Sequence, residues 1–275
     1  MKKFLVPTDF SETSKNAALY AAQMAAQVPG SKVILIYVSD KFTGGSDGSP
    51  LTETKKDRRT ILTQALQQLK DEMLSLAKVA IDFALEEGSS LVETSTRYVR
   101  HHGISMVIMG ITGATRLEQL FIGSNTLDMV DAGVCPVMII PPNAKYRPIK
   151  NVMFTSDFKE VATTVPVEPL RSVLDMLNAS VHVVNVDSEH YVDITDEYKA
   201  EKAKLEKILQ SYNPEFYFIR QYDFLDAVSQ FATDKNIDVI VSIPKAKSFL
   251  SGLFKSSHTK KLAYHSTVPI IAIHE

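Results

Sequence analysis

The sequence has 275 residues, 45% of them hydrophobic, with 30 lysines and arginines against 32 aspartates and glutamates. That length accommodates one large domain or two ordinary ones, and a charged fraction of 23% with a mean hydropathy of −0.02 excludes a disordered, charge-dominated chain. A net charge of −2 supplies no global field for nucleic acid or an anionic membrane, and no apolar run approaches the roughly 20 residues that cross a bilayer.

In chain order, Phe4 to Val6 predicts a strand ending at Pro7-Thr8-Asp9, too brief an apolar start for a signal peptide, so a cytoplasmic location is expected. Ala17, Ala21, Met24, Ala25 and Val28 recur at helical spacing up to Pro29-Gly30. Lys32 to Val38 predicts a second strand, and the Gly/Ser-containing stretch from Phe42 to Thr54 a surface loop. Leu62, Leu66, Leu69, Met73 and Leu76 form the stripe of a long helix, Val79 to Leu85 a third strand and Leu91 to His102 a helix. Ser105 to Met109 predicts a fourth strand, Ser124 to Ala132 a short helix and Val137 to Ile140 a fifth strand. Val/Ile-rich strands separated by helices predict an α/β fold, doubly wound, with a parallel sheet covered on both faces.

The pattern then repeats. Asp9-Phe10 reappears as Asp157-Phe158 and Val33 to Val38 as Val181 to Val186, displaced by 148 positions, whereas Pro136 reappears as Pro269, displaced by 133. The proline-bearing segment Pro141 to Pro148 reads as the linker, so the domains are placed at 1–146 and 147–275. Their last strands, Val137 to Ile140 and Val268 to Ile273, would be bare sheet edges unless they meet, which predicts a pseudo-symmetric pairing of the domains; a homodimer is the further option.

In such a sheet a ligand sits beyond the carboxyl ends of the strands where the winding reverses. There Gly110-Ile111-Thr112-Gly113 is followed, nine residues later, by Gly123-Ser124-Asn125-Thr126 at the start of a helix. Glycines admit positive φ and close backbone approach, a helix start presents N–H groups, and Ser124 and Thr126 add hydroxyls, which together suit phosphate oxygens. A tight turn with Ser124 as helix cap is the plainer reading of the same residues. Gly110, Gly113, Gly123 and Ser124, at that spacing, together with Val6-Pro7-Thr8-Asp9-Phe10-Ser11 and the second strand, resemble the universal stress protein family in its tandem two-domain form.

The resemblance implies two five-stranded parallel sheets of order 3-2-1-4-5 and an ATP site across the ends of strands one and four. It implies that Asp9, with Pro7 and Thr8 before it, lies beside the adenosine, that the Val38 backbone contacts adenine, and that Gly110, Gly113, Gly123, Ser124, Asn125 and Thr126 surround ribose and phosphates, with Mg²⁺ a candidate for bridging the latter. The second half keeps Asp157 but has Ser242, Lys245 and Lys255 or Ser256 at the motif positions, which predicts a degenerate, structural half.

No P-loop, dinucleotide fingerprint, zinc helix or nucleophile elbow is present, so no catalytic residue and no metal ligand is assigned. His101 and His102 are adjacent and make a poor chelating pair, Arg116 is as suited to solvent as to phosphate, and Cys135 reads as a small buried residue. The expected function is an ATP-binding stress-response regulator whose occupied N-terminal domain alters conformation or partner recognition. The alternatives are a slow ATPase or nucleotidyl-transfer enzyme using the same pocket, and a ligand-free stress scaffold.

Overall fold

Short aliphatic, β-branched runs make the strands, each bounded by a turn or a helix cap. The computed structural model describes residues 1–39, 52–111, 123–187, 195–220, 224–244 and 268–274, with backbone alone for 52–56, 187 and 224–225. The first half alternates β1 (Lys3–Pro7), α1 (Glu12–Gln27), β2 (Lys32–Ser39), α2 (Thr52–Leu76), β3 (Ala80–Glu87), α3 (Leu91–His102), β4 (Met106–Gly110), α4 (Ser124–Asp131) and β5 (Val137–Ile140). The second runs β6 (Asn151–Thr155), α5 (Val161–Thr164), α6 (Val167–Leu177), β7 (Ser180–Asp187), α7 (Asp196–Leu209), β8 (Glu215–Arg220), α8 (Phe224–Asp234), β9 (Val239–Ser242) and β10 (Ile270–Ala272).

Most ends shift by a residue or two from expectation, as at β3, β4, α4 and β10, and two differences are larger. Helix α2 begins at Thr52, so the last three residues of the predicted loop are helical, while 42–51 lie outside the described residues. Thr52 to Arg59 carries no apolar stripe to betray a helix; its Glu, Lys and Arg residues extend one that is anchored further on by buried Leu66, Leu69 and Met73. The counterpart of α1 is broken into α5 and α6 by Val165 and Pro166, because proline has no N–H to continue the ladder.

The ten strands of the described residues join one sheet, ordered β3-β2-β1-β4-β5-β10-β9-β6-β7-β8. Each half therefore has the order 3-2-1-4-5, and every pairing is parallel except the central one, β5 against β10. There Met138 lies opposite Ile271, its own counterpart in the repeat, flanked by Ile139–Ile270 and Val137–Ala272, so the ladder is self-complementary about a pseudo-twofold. This pairing removes two apolar edges at once. The cores on the two faces of the sheet, one around Phe4, Met24, Phe154 and Leu205 and the other around Leu5, Ile36, Met153 and Ile240, each draw on both halves.

The segment expected as a linker is strapped down. Asn16 Nδ2 donates to the carbonyls of Pro141 and Ala144 at 3.2 and 3.1 Å. Gln27 Oε1 accepts from the Tyr146 hydroxyl and the Ile149 N–H. Beyond it, buried Asp238 pairs with Arg147 at 2.5 Å and accepts the N–H groups of Lys150 and Asn151 at 2.8 and 3.0 Å. Polar side chains from α1 and from the start of β9 thus hold the crossing between halves.

Candidate nucleotide site

At the carboxyl end of β1 the chain makes a tight turn built from its own side chains. The Thr8 N–H continues the ladder to the Ile36 carbonyl at 2.9 Å, and its hydroxyl oxygen accepts the Phe10 N–H at 3.1 Å. Asp9 Oδ1 accepts from the Ser11 N–H at 3.0 Å and the Ser11 hydroxyl at 2.5 Å, and Ser11 in turn caps α1 by accepting from the Ser14 N–H. Phe10 holds φ +62° and stacks on Tyr37, ring centroids 5.2 Å apart. Pro7 and Thr8 are buried, whereas Asp9 is exposed at the sheet's edge. Val38, half-buried, lies two residues beyond Ile36, the residue opposite Pro7, so it reaches the same edge as Asp9.

Gly110 closes β4 next to this turn: both Thr8 and Gly110 lie three residues beyond the paired Leu5 and Val107. The structure corrects the reason for this glycine. Its φ is not positive, and a Cβ placed there would meet the Thr13 carbonyl oxygen at 2.7 Å and carbon at 2.9 Å. Gly110 therefore lets the first turn of α1 pack directly on the end of β4; it is needed against protein backbone, not for turn geometry. Thr126 is corrected likewise, since its buried hydroxyl donates to the Gly110 carbonyl at 3.1 Å and ties α4 to β4. That hydroxyl is spent inside the protein.

Among the described residues, what stands open is the beginning of α4. Gly123 is its N-cap, extended at φ −61° and ψ 143°, with no side-chain cap and no acidic residue in the first turn. Ser124 is thus the first helical residue and not the cap, and both Ser124 and Asn125 are exposed. By contrast α1, α3 and α7 are capped by Ser11, Ser90 and Thr195 and carry Glu12, Glu93, Asp196 or Glu197 in the first turn. A helix start without cap or carboxylate leaves N–H groups and the positive end of the dipole turned outward, a setting that suits an anion. Gly113 and Arg116 lie outside the described residues.

The second half repeats the turn but not the approach. Ser156 donates its N–H to the Val184 carbonyl at 3.0 Å and accepts the Phe158 N–H at 3.2 Å; Asp157 accepts the Lys159 N–H at 3.1 Å; Phe158 holds φ +49°. An aspartate in this place therefore closes a turn whether or not a glycine cradle faces it. The register corrects one assignment, because Ser242 lies opposite Ala272 as Met109 lies opposite Ile139, so the counterpart of Gly110 is Ile243, one residue on. Ile243 packs against the core, and the helix that corresponds to α1 is the broken α5–α6. Lys245, Lys255 and Ser256 are outside the described residues.

Sequence reasoning missed Phe10, Tyr37, Thr13 and Ser14 as neighbours of the site. The repeated Asp-Phe pair was the available signal for the first; the backbone of Thr13 carries no signal of its own. His101 and His102 sit exposed in the last turn of α3, where basic groups complement the dipole. Cys135 is half-buried, and burial pushes its thiol up to about 12. Among the described residues no three His, Cys, Asp or Glu side chains gather as metal ligands, and no helix is long and apolar enough to cross a membrane.

Known proteins agree with this architecture. Universal stress protein MJ0531 of Methanocaldococcus jannaschii is 30% identical over 144 residues, covering 50% of this chain and 81% of its own. Universal stress protein MJ0577 of the same organism is 26% identical over 153 residues, covering 50% and 94%. The crystal structure of a universal stress protein from Archaeoglobus fulgidus shares the fold over 99% of this chain and 98% of its own, with a TM-score of 0.69 at 17% identity. Residues 1–141 match the family model described as universal stress protein family, and the chain belongs to that family.

Proposed function

We propose that one ATP binds the N-terminal half across the carboxyl ends of β1, β2 and β4, and that its occupancy alters the conformation or surface a partner recognises. The observation that carries this is the open first turn of α4, uncapped and free of carboxylates, beside the Asp9 turn. In this reading the start of α4 at Gly123, Ser124 and Asn125 takes the phosphates, Gly113 belongs to the same cradle, and Mg²⁺ would be held by the nucleotide and would neutralise phosphate charge. Pro7, Thr8, Asp9 and Val38 form the adenosine end, while Gly110 and Thr126 hold the two parts in place. Residues 1–146 are the nucleotide-binding unit, and 147–275, with Ile243 in the place of Gly110, is its structural companion.

The test is the nucleotide content of the purified chain, followed by calorimetric titration with ATP and single-turnover hydrolysis. One ATP per chain, retained unhydrolysed over many binding lifetimes, is the expected result. Absence of binding would overturn the reading, two equivalent sites would overturn the assignment of the second half, and rapid turnover would make the site an enzyme's.

A further inference from the structure

Near the outer edges of the sheet the two halves carry different chemistry. In the first half β2 and β3 pair Ile34 with Asp82 and Ile36 with Ala84, and Asp82 is ion-paired with Lys32. The matching ladder of the second half pairs His182 with Glu215 and Val184 with Tyr217, and Ser180 stands where Lys32 would be. The ammonium is gone, and an imidazole has entered a core position.

His182 is 7% exposed, and both its ring nitrogens are sealed from solvent without a hydrogen-bond partner among the described residues. The rings of Tyr217 and Phe231 flank it at 5.8 and 6.4 Å and meet each other edge-on at 4.8 Å. The imidazole is therefore part of the contact that seats α8 on β7 and β8. From β8 it faces Glu215, whose Oε2 is 3.8 Å from Nδ1 but accepts a hydrogen bond from the Tyr217 hydroxyl. From the end of α8 comes Lys235, its ammonium 4.7 Å over the Tyr217 ring; from β6 the neighbour in register is Met153, which carries no charge. Even a neutral imidazole buries an unmet N–H here, and a second proton adds a second donor and a charge.

We infer that His182 is an acid-sensitive latch: its protonation releases α8 from β7 and β8, while the first half, with Ile34 in that place, stays closed. What loosens is the cover over β8, whose outer edge has no partner strand among the described residues.

Burial holds the imidazole below its usual range, Lys235 acts in the same direction and Glu215 opposes. A group whose closed-state value lies below its solvated value of about 6.5 favours the closed form fully above that pH. The closed form then loses ground as pH falls through it toward the lower value, by up to about tenfold in the open-to-closed ratio per pH unit for one proton. The Glu215 carboxyl, held below its ordinary value first by the Tyr217 hydroxyl, titrates lower still, so the window from about pH 6.5 down to 5 isolates the histidine.

Hydrogen exchange on the full chain, corrected for intrinsic chemical exchange, tests the latch. Protection of amides in β7, β8 and α8 should fall across that window while β2 and β3 hold theirs, and His182→Ile should flatten the difference. Should His182→Ile fail to fold, Glu215→Gln serves: it removes the opposing carboxylate and should extend the loss of protection to lower pH. The imidazole's NMR titration should have its midpoint below 6.5. A midpoint at or above 6.5, equal loss in both halves, or an unchanged profile in His182→Ile would overturn the inference.

Discussion

Replacing Gly110 by alanine separates packing from ligand contact at the end of β4. The new methyl would stand 2.7 Å from the Thr13 carbonyl oxygen and 3.3 Å from the Ser14 nitrogen, and both are backbone atoms of a turn fastened by Ser11 and Asp9. To reach ordinary contact that turn must retreat by roughly 0.7 Å. Overpacking of this kind costs about 1–3 kcal/mol, offset by about 0.4–1 kcal/mol because alanine restricts the unfolded chain more than glycine, so the net loss should centre on about 1.3 kcal/mol within a span of about 0–2.6 kcal/mol. For a unit of this size the central value is a fall in Tm of about 2–8 °C, read by differential scanning calorimetry. Gly123→Ala is the control: its backbone is extended, so its φ does not call for glycine and the loss should stay at or below about 1 kcal/mol. A Gly110→Ala chain melting above the wild-type temperature would refute the close approach of α1 and β4.

Asn125→Asp puts a carboxylate into the open first turn of α4, so stability should rise by about 0.3–1 kcal/mol while ATP affinity falls at least tenfold in calorimetric titration; movement of both in the same direction would place the phosphates elsewhere. Asp9→Ala and Asp157→Ala each remove the acceptor that closes a turn and should destabilise alike, by about 0.5–2 kcal/mol in urea titrations, yet only Asp9→Ala should weaken ATP. Asp238→Ala strands the N–H groups of Lys150 and Asn151 and leaves Arg147, whose side chain is 55% exposed, with the Ile237 carbonyl and solvent as its partners. The cost should therefore be about 2–4 kcal/mol, below the full penalty of a broken buried pair, with the earliest loss of hydrogen-exchange protection in 141–151.

Element identity was legible in the chain because burial on both faces of a parallel sheet demands uninterrupted aliphatic runs, and helices leave a periodic stripe. Leu91–His102 and Val137–Ile140 were read to the residue for that reason. The repeat and the family resemblance were carried by residues at recognisable spacing, and the order 3-2-1-4-5 within a half came only as what that resemblance implied. The carboxyl-end location of the candidate site followed from the doubly wound reading of the alternating strands and helices.

Other features belonged to tertiary structure alone. Gly110 looks in sequence like a ligand glycine, but its need comes from the Thr13 backbone, which any residue type could present. Thr126 looks like a free hydroxyl until a residue 16 positions earlier supplies its acceptor. Ser242 seemed to fill a motif place that the ladder gives to Ile243, because a one-residue slip turns a strand's side chains to opposite faces. Composition and spacing report what each residue can do. Which partner it meets, and whether a hydroxyl or an imidazole is met at all, is decided by chain segments that are distant in sequence and adjacent only once the sheet has formed.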